Sequence, residues 1–226
     1  MQNELKKIQE GFSGSVYRFF DQAEYAEQFC KGKLRVSTLE ACRGYENAEQ
    51  GDKGEGVWQH TISDIHIPNA QDVDVSGLLY AGVRVDASAT NVVIKNVSGG
   101  KKIENAYVLC TTKLFNPDAF STSFGKYCVE ISNAQCFAHA VTEAIHKYHR
   151  DLKWVRADFG NVDYIENRSG VDFEKPANHI AFLKPKNPYK SQEEFRFLWS
   201  LSEPHLDIRP LDLNIPSIAK YCKRVL

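Results

Sequence analysis

A chain of 226 residues, 25% charged and 42% hydrophobic, holds enough apolar side chains to bury a core without a disulfide or metal staple. Its net charge of −1 and isoelectric point near 6.7 exclude a global electrostatic pull toward nucleic acid or an anionic membrane. No apolar run approaches the roughly 20 residues that span a bilayer, no secretory signal opens the sequence, and the six cysteines show no CxxC spacing. A cytoplasmic protein with reduced thiols is the expectation.

In chain order, MQNELKKIQEG is polar and reads as a short helix or arm. GSVYRFF (14–20) is β-prone and sets Arg18 between Tyr17 and Phe19. Asp21, with Glu24 three residues on, predicts a capped helix that turns Ala26 and Phe29 inward and stops at Gly32. LRVS (34–37) reads as a short strand, and Ser37 with Glu40 forms a second capping box. Residues 41–56, ACRGYENAEQGDKGEG, read as a long polar loop, a length that is usually functional. From Val57 to Cys110, alternation predicts strands in HTISDIHI, VDVSGLLYAGVRVD, NVVIKNV and AYVLCTT. FNPDAFSTSFGKYCVEI (115–131) begins as a turn and ends as a strand. Residues 134–150 form the clearest helix, with Phe137, Val141, Ile145 and Tyr148 on one side. HIAFLKPKNPY (179–189) gives a strand and a Pro-rich turn, and IPSIAKYCKRVL (215–226) a short helix. With no repeat and no low-complexity linker, the sequence reads as one α+β domain over residues 1–226.

The segment KSQEEFRFLWS (190–200) admits two local readings. Ser191 and Glu194 fit a capping box, with Phe195, Leu198 and Trp199 at helical spacing. Alternatively Phe195, Phe197 and Trp199 alternate with Glu194, Arg196 and Leu198, the period of a strand. The density of bulky apolar residues favours the strand. In that register Gln192 and Glu194 share a face and Glu193 points away.

Three groups invite a functional reading. Arg18, flanked by aromatics, is suited to grip a phosphate or carboxylate in a two-pronged fork, though a strand arginine can equally serve an ion pair. FSTSF (120–124) sets Ser121 and Ser123 on one face of an extended segment and Thr122 on the other, unless it is a plain Ser/Thr turn. His139, Glu143 and His146 fall on one helical face, but that face lies opposite the apolar one. A solvated polar surface accounts for it more simply than a metal site.

An aromatic-flanked arginine, an aromatic–Ser–Thr–Ser run and a Gln-x-Glu before a late aromatic strand occur in the order that resembles the arginine–serine–glutamate class of ADP-ribosyltransferases. VYRFF, GKLRVSTLE, GDKGEG and QEEFRF also resemble bacterial domains associated with phage defence and toxin–antitoxin loci. The resemblance implies an antiparallel-rich split sheet with flanking helices and NAD as substrate. It implies Arg18 on an NAD phosphate, and Ser121, Thr122 and Ser123 positioning the nicotinamide ribose. Glu194 would stabilise the cationic sugar, and Gln192 would face the acceptor. A Gln at that place goes with acceptors other than arginine, which points to nucleic acid, RNA before DNA, and Arg43, Tyr45 and Lys53 in the 41–56 loop offer it contacts. The implied partner is an antitoxin; no membrane is involved. The stretch between Ser123 and Gln192 is longer than in compact toxins of the class, so Ser37–Thr38 and Thr111–Thr112 stay open as the second motif. The alternatives are an NAD glycohydrolase and an inactive module that binds or senses a nucleotide.

Overall fold

The computed structural model describes residues 14–45, 52–62, 64–73, 78, 82–121, 124–166 and 177–226. Strand β1 (Val16–Phe20) leads through helix α1 (Ala23–Cys30) to β2 (Lys33–Thr38) and the short helix α2 (Leu39–Arg43). Two antiparallel hairpin layers follow: β3 (Val57–Ile62) pairs with β6 (Val97–Lys102), and β4 (Ile65–Asn69) pairs with β5 (Thr90–Ile94) between them. Then come β7 (Tyr107–Thr112), α3 (Pro117–Phe120), β8 (Tyr127–Ile131), α4 (Ala134–Tyr148), β9 (Val155–Asn161) and β10 (Asp163–Ile165). The chain closes with β11 (Leu183–Pro185), α5 (Lys186–Tyr189), β12 (Glu194–Leu201), β13 (Leu211–Asn214) and β14 (Cys222–Arg224). The result is a mixed α+β fold around an eight-stranded antiparallel sheet.

The pairing of β7 positions the site. Along one edge β12 runs beside it from Glu194↔Thr112 to Trp199↔Tyr107. Along the other edge the partner changes: β2 pairs at Ser37↔Val108 and Thr38↔Tyr107, and β1 pairs only at Tyr17↔Thr112. Between these two arms Cys110 and Thr111 line an opening, while Leu109 turns into the core.

Alternation explains how β12 sits in the middle of this sheet. Phe195, Phe197 and Trp199 are fully buried against α1 and α4, with Phe137 and Phe197 ring centroids 5.3 Å apart. Each such ring contributes roughly 1.5–3 kcal/mol of burial. Leu198 faces the other way, into a second cluster with Leu39, Trp58, Val108 and Phe182. Both faces of β12 are therefore covered, and Glu194 and Arg196 lie in the interior beside Leu198. Helix α4 is opened by Asn133, whose side chain accepts from the Cys136 N–H at 2.9 Å, and it buries Phe137, Val141 and Ile145.

Several local expectations are corrected. The N-cap of α1 is Gln22, not Asp21, and its side chain makes no capping bond. Thr38 caps α2, accepting from the Ala41 N–H at 3.1 Å, so the Ser37–Glu40 box is displaced by one residue and Ser37 is left in β2. Tyr148 is exposed because it falls on the last turn of α4, beyond the reach of the sheet. Residues 82–86 form no strand, and 74–77 and 79–81 of that expected strand lie outside the described residues. The expected terminal helix is a 3-10 turn over Pro216–Tyr221 followed by edge strand β14. Gly32 does end α1, with φ of +88° and Ile215 O only 2.3 Å from where a Cβ would sit. Among the described residues no helix is long and apolar enough to cross a membrane.

Candidate functional site

A cleft of about 1100 Å³ occupies the opening beside β7. Arg18, Ser121, Gln192 and Glu194 all line it, as do Ser37, Thr111 and Thr112. Tyr17 and Glu194 stand opposite the same residue, Thr112, on the two edges of β7. The backbones of β1 and β12 are thus two ladder steps, about 10 Å, apart there.

Arg18 projects into the opening, where its Nη1 donates to the Cys110 carbonyl at 2.6 Å and its guanidinium lies over the Phe20 ring. That bond satisfies a carbonyl on the stretch of β7 between its two arms. No ion pair among the described residues involves Arg18, and burial pushes its pKa below the ordinary arginine value. The guanidinium is half-buried, and the Cys110 carbonyl is the hydrogen-bond acceptor that meets it.

Glu194 is 4% exposed, and both of its oxygens are taken. Oε2 accepts from Lys184 Nζ at 2.6 Å, and Oε1 accepts from Arg196 Nε at 2.8 Å and Nη2 at 2.6 Å. Arg196, completely buried, also grips the Glu55 carboxylate and the Ala181 carbonyl. Two cations and two anions make a neutral interior cluster. Burial alone would raise the Glu194 carboxyl, but Arg196 and Lys184 outweigh it and hold the group at about 2. Among the described residues Arg196 is the cation in direct contact with the Glu55 carboxylate, and burial raises this carboxyl from its ordinary value. Burial disfavours charge on Lys184, yet Glu194 lifts it above the ordinary lysine value; the ammonium also lies 4.7 Å from the Tyr189 ring centroid. The Glu194 N–H donates to Tyr164 Oη at 2.9 Å, and burial pushes that phenol up to about 12. Glu194 is a fixed negative charge rather than a proton acceptor at neutral pH.

The remaining candidates divide by what their polar atoms do. Thr111 Oγ1 donates to the Phe195 carbonyl and Thr112 Oγ1 to the Gln192 carbonyl, each at 2.7 Å, so these hydroxyls anchor the start of β12. Ser37 Oγ lies 2.8 Å from Tyr45 Oη at the cleft mouth. Ser121 is exposed and carries helical dihedrals at the end of α3, so Phe120–Ser121 continue a helical turn and are not extended as expected. Thr122 and Ser123 lie outside the described residues. Gln192 does not share the strand with Glu194: it ends a 3-10 turn, Glu193 turns through φ of +41°, and β12 begins at Glu194. Gln192 is buried and lines the cleft while Glu193 is exposed. Arg43 turns inward, donating from Nε to the Glu55 carbonyl at 2.6 Å, which removes it from the contacts expected of the 41–56 loop. On α4, His139 and Glu143 form an exposed pair and His146 Nε2 meets the Leu152 carbonyl at 2.9 Å.

Sequence reasoning missed Lys184, Cys110 and Glu55. A signal existed for the first, since a lysine inside HIAFLKP demands a buried partner. Glu55 had none, being 141 positions from the arginine it meets. No protein-family model, no curated protein and no solved structure matches this chain.

Proposed function

We propose that the chain is an NAD-dependent ADP-ribosyltransferase with its site in the cleft beside β7. The observation that carries this reading is the position of Arg18, an anion-seeking guanidinium in the opening of the sheet, about two strand spacings from the fixed carboxylate Glu194. A dinucleotide with its pyrophosphate on Arg18 would bring a ribose toward Glu194. The cleft, at about 1100 Å³, is slightly larger than the roughly 300–1,000 Å³ of ordinary small-molecule sites, which leaves room for a dinucleotide. As the bond between C1′ and nicotinamide breaks, positive charge develops on the sugar, and a pre-oriented carboxylate stabilises it without reorganising. Glu194 suits this role because its two cationic neighbours keep it ionised and immobile. Arms diverging from a central strand also agree with the split sheet of that enzyme class. The setting that goes with this reading is a toxin acting in the cytoplasm, held silent by an antitoxin in phage defence.

A second reading, a nucleotide-binding module without turnover, is favoured by the occupied oxygens of Glu194. Nicotinamide release from NAD by the purified protein separates the possibilities. Release that requires added RNA, DNA or lysate supports transfer, and release in buffer alone supports a glycohydrolase. Binding without release supports the module. Loss of NAD affinity in a folded Arg18→Ala variant is expected in all three, and unchanged affinity would remove Arg18 from the site.

A further inference from the structure

Resting on the transferase reading, we infer that the acceptor is an anionic phosphate oxygen at the end of a nucleic-acid strand. The attacking atom must approach the sugar beside Glu194, so the groups there decide which nucleophiles react. Glu194 has no oxygen free to take a proton, because Lys184 and Arg196 occupy both. The Cys110 thiol stands beside it and is kept protonated by burial and by the Glu194 charge. Tyr45 has its hydroxyl committed to Ser37, and burial raises its pKa as well. Asp21 also lines the cleft but lies past the end of β1, and Phe20, the last residue of that strand, is already roughly 10 Å along it from Tyr17, which stands level with Glu194. Asp212 is paired with Arg35 at 3.2 Å.

A hydroxyl or guanidinium acceptor must lose a proton to attack, and among the described residues none of these groups beside Glu194 is placed to receive it. A phosphate monoester needs no such help, being already an anion near neutral pH. The step balances without proton transfer: the C1′–N bond breaks with its electron pair going to nicotinamide, and a phosphate oxygen lone pair forms the new C1′–O bond. The positive charge of the pyridinium and one negative charge of the phosphate disappear together.

The cleft mouth fits a strand of nucleic acid. Exposed Lys33 stands on the β2 bank and exposed Lys126 on the β1–β8 bank, in position for backbone phosphates. Tyr25 and Tyr45, 48% and 45% exposed, offer rings on which bases stack.

The test incubates the full chain with labelled NAD and matched RNA and DNA oligonucleotides ending in 5′-phosphate, 3′-phosphate or hydroxyl, alongside a phosphopeptide. Label confined to phosphate-ended oligonucleotides, removed when phosphatase treatment precedes the reaction, is the expected result. The rate should rise through the second phosphate ionisation near pH 6 and stay level above it, and Lys126→Glu should lower it on the order of tenfold. Label on hydroxyl-ended oligonucleotides or on the phosphopeptide overturns the acceptor and leaves the transferase reading intact. Absence of nicotinamide release with any acceptor overturns both.

Discussion

Replacing Lys184 by Met removes the cation from Glu194 Oε2 while keeping most of the apolar stem, and leaves a 4% exposed carboxylate short of one partner. Breaking a buried pair in this way costs about 3–5 kcal/mol. The depression of the Glu194 carboxyl from 4.5 to about 2 points the same way. At about 1.4 kcal/mol per pKa unit it corresponds to roughly 3 kcal/mol of charge-dependent stabilisation, shared between Lys184 and Arg196. With an unfolding entropy of about 2.1 cal/mol/K per residue over 226 residues, a 3–5 kcal/mol loss lowers Tm by roughly 6–11 °C. The sign with pH follows from a folded value below the unfolded one. The stabilisation is complete above about pH 4.5 and is lost as pH falls toward 2. The gap between wild type and Lys184→Met is therefore widest near neutrality and narrows in acid. Adding Glu194→Gln to Lys184→Met removes the stranded charge and should recover a substantial part of the loss. Differential scanning calorimetry of the three proteins at pH 7 and pH 4 measures all of this. A double variant less stable than Lys184→Met alone, or a gap that widens in acid, would refute the argument.

Phe197→Ala deletes a fully buried ring packed on Phe137 and Trp199, and chemical denaturation should report a loss of about 3–5 kcal/mol. Glu193→Gly relieves a non-glycine residue held at φ of +41°; a gain of about 1 kcal/mol is expected in the same assay, and a loss would mean the exposed side chain matters to the turn. Gly32→Ala places a Cβ 2.3 Å from Ile215 O, and a variant as stable as wild type in thermal melts would contradict the described approach of α1 to the 215–216 turn. His149, lowered by burial and 2.8 Å from Tyr107 Oη, takes up its proton more readily unfolded. Its contribution is present above pH 6.5 and is lost as pH falls below that value, and His149→Phe should flatten this part of the pH–stability curve.

How much of this was legible depends on the range of the determining interaction. The β12 alternation and the inner face of α4 were readable because each is set by near neighbours with a short period. The cap of α2 was misplaced by one residue, since Ser37 and Thr38 compete for the same N–H groups, while α1 begins at Gln22 with no side-chain cap from that residue. Arg18, Ser121, Gln192 and Glu194 line one cleft, and the Gln-x-Glu spacing did not translate into a common strand face. The cluster around Arg196 was opaque because its members come from β11, β12 and a segment near residue 55, joined only by folding.

The handover of β7 from β2 to β1 leaves each arm with a short seam to the central strand: Ser37 and Thr38 on one side, Tyr17 on the other. Backbone ladders therefore do little to determine how far apart the arms stand. That distance is gauged from beneath, by α1, which touches β1, β2, β8 and β14 and drives Ala26 and Phe29 into the floor. The helix works as a spacer, so a change in the volume of Phe29 would be felt as a change in the bite of the cleft above it.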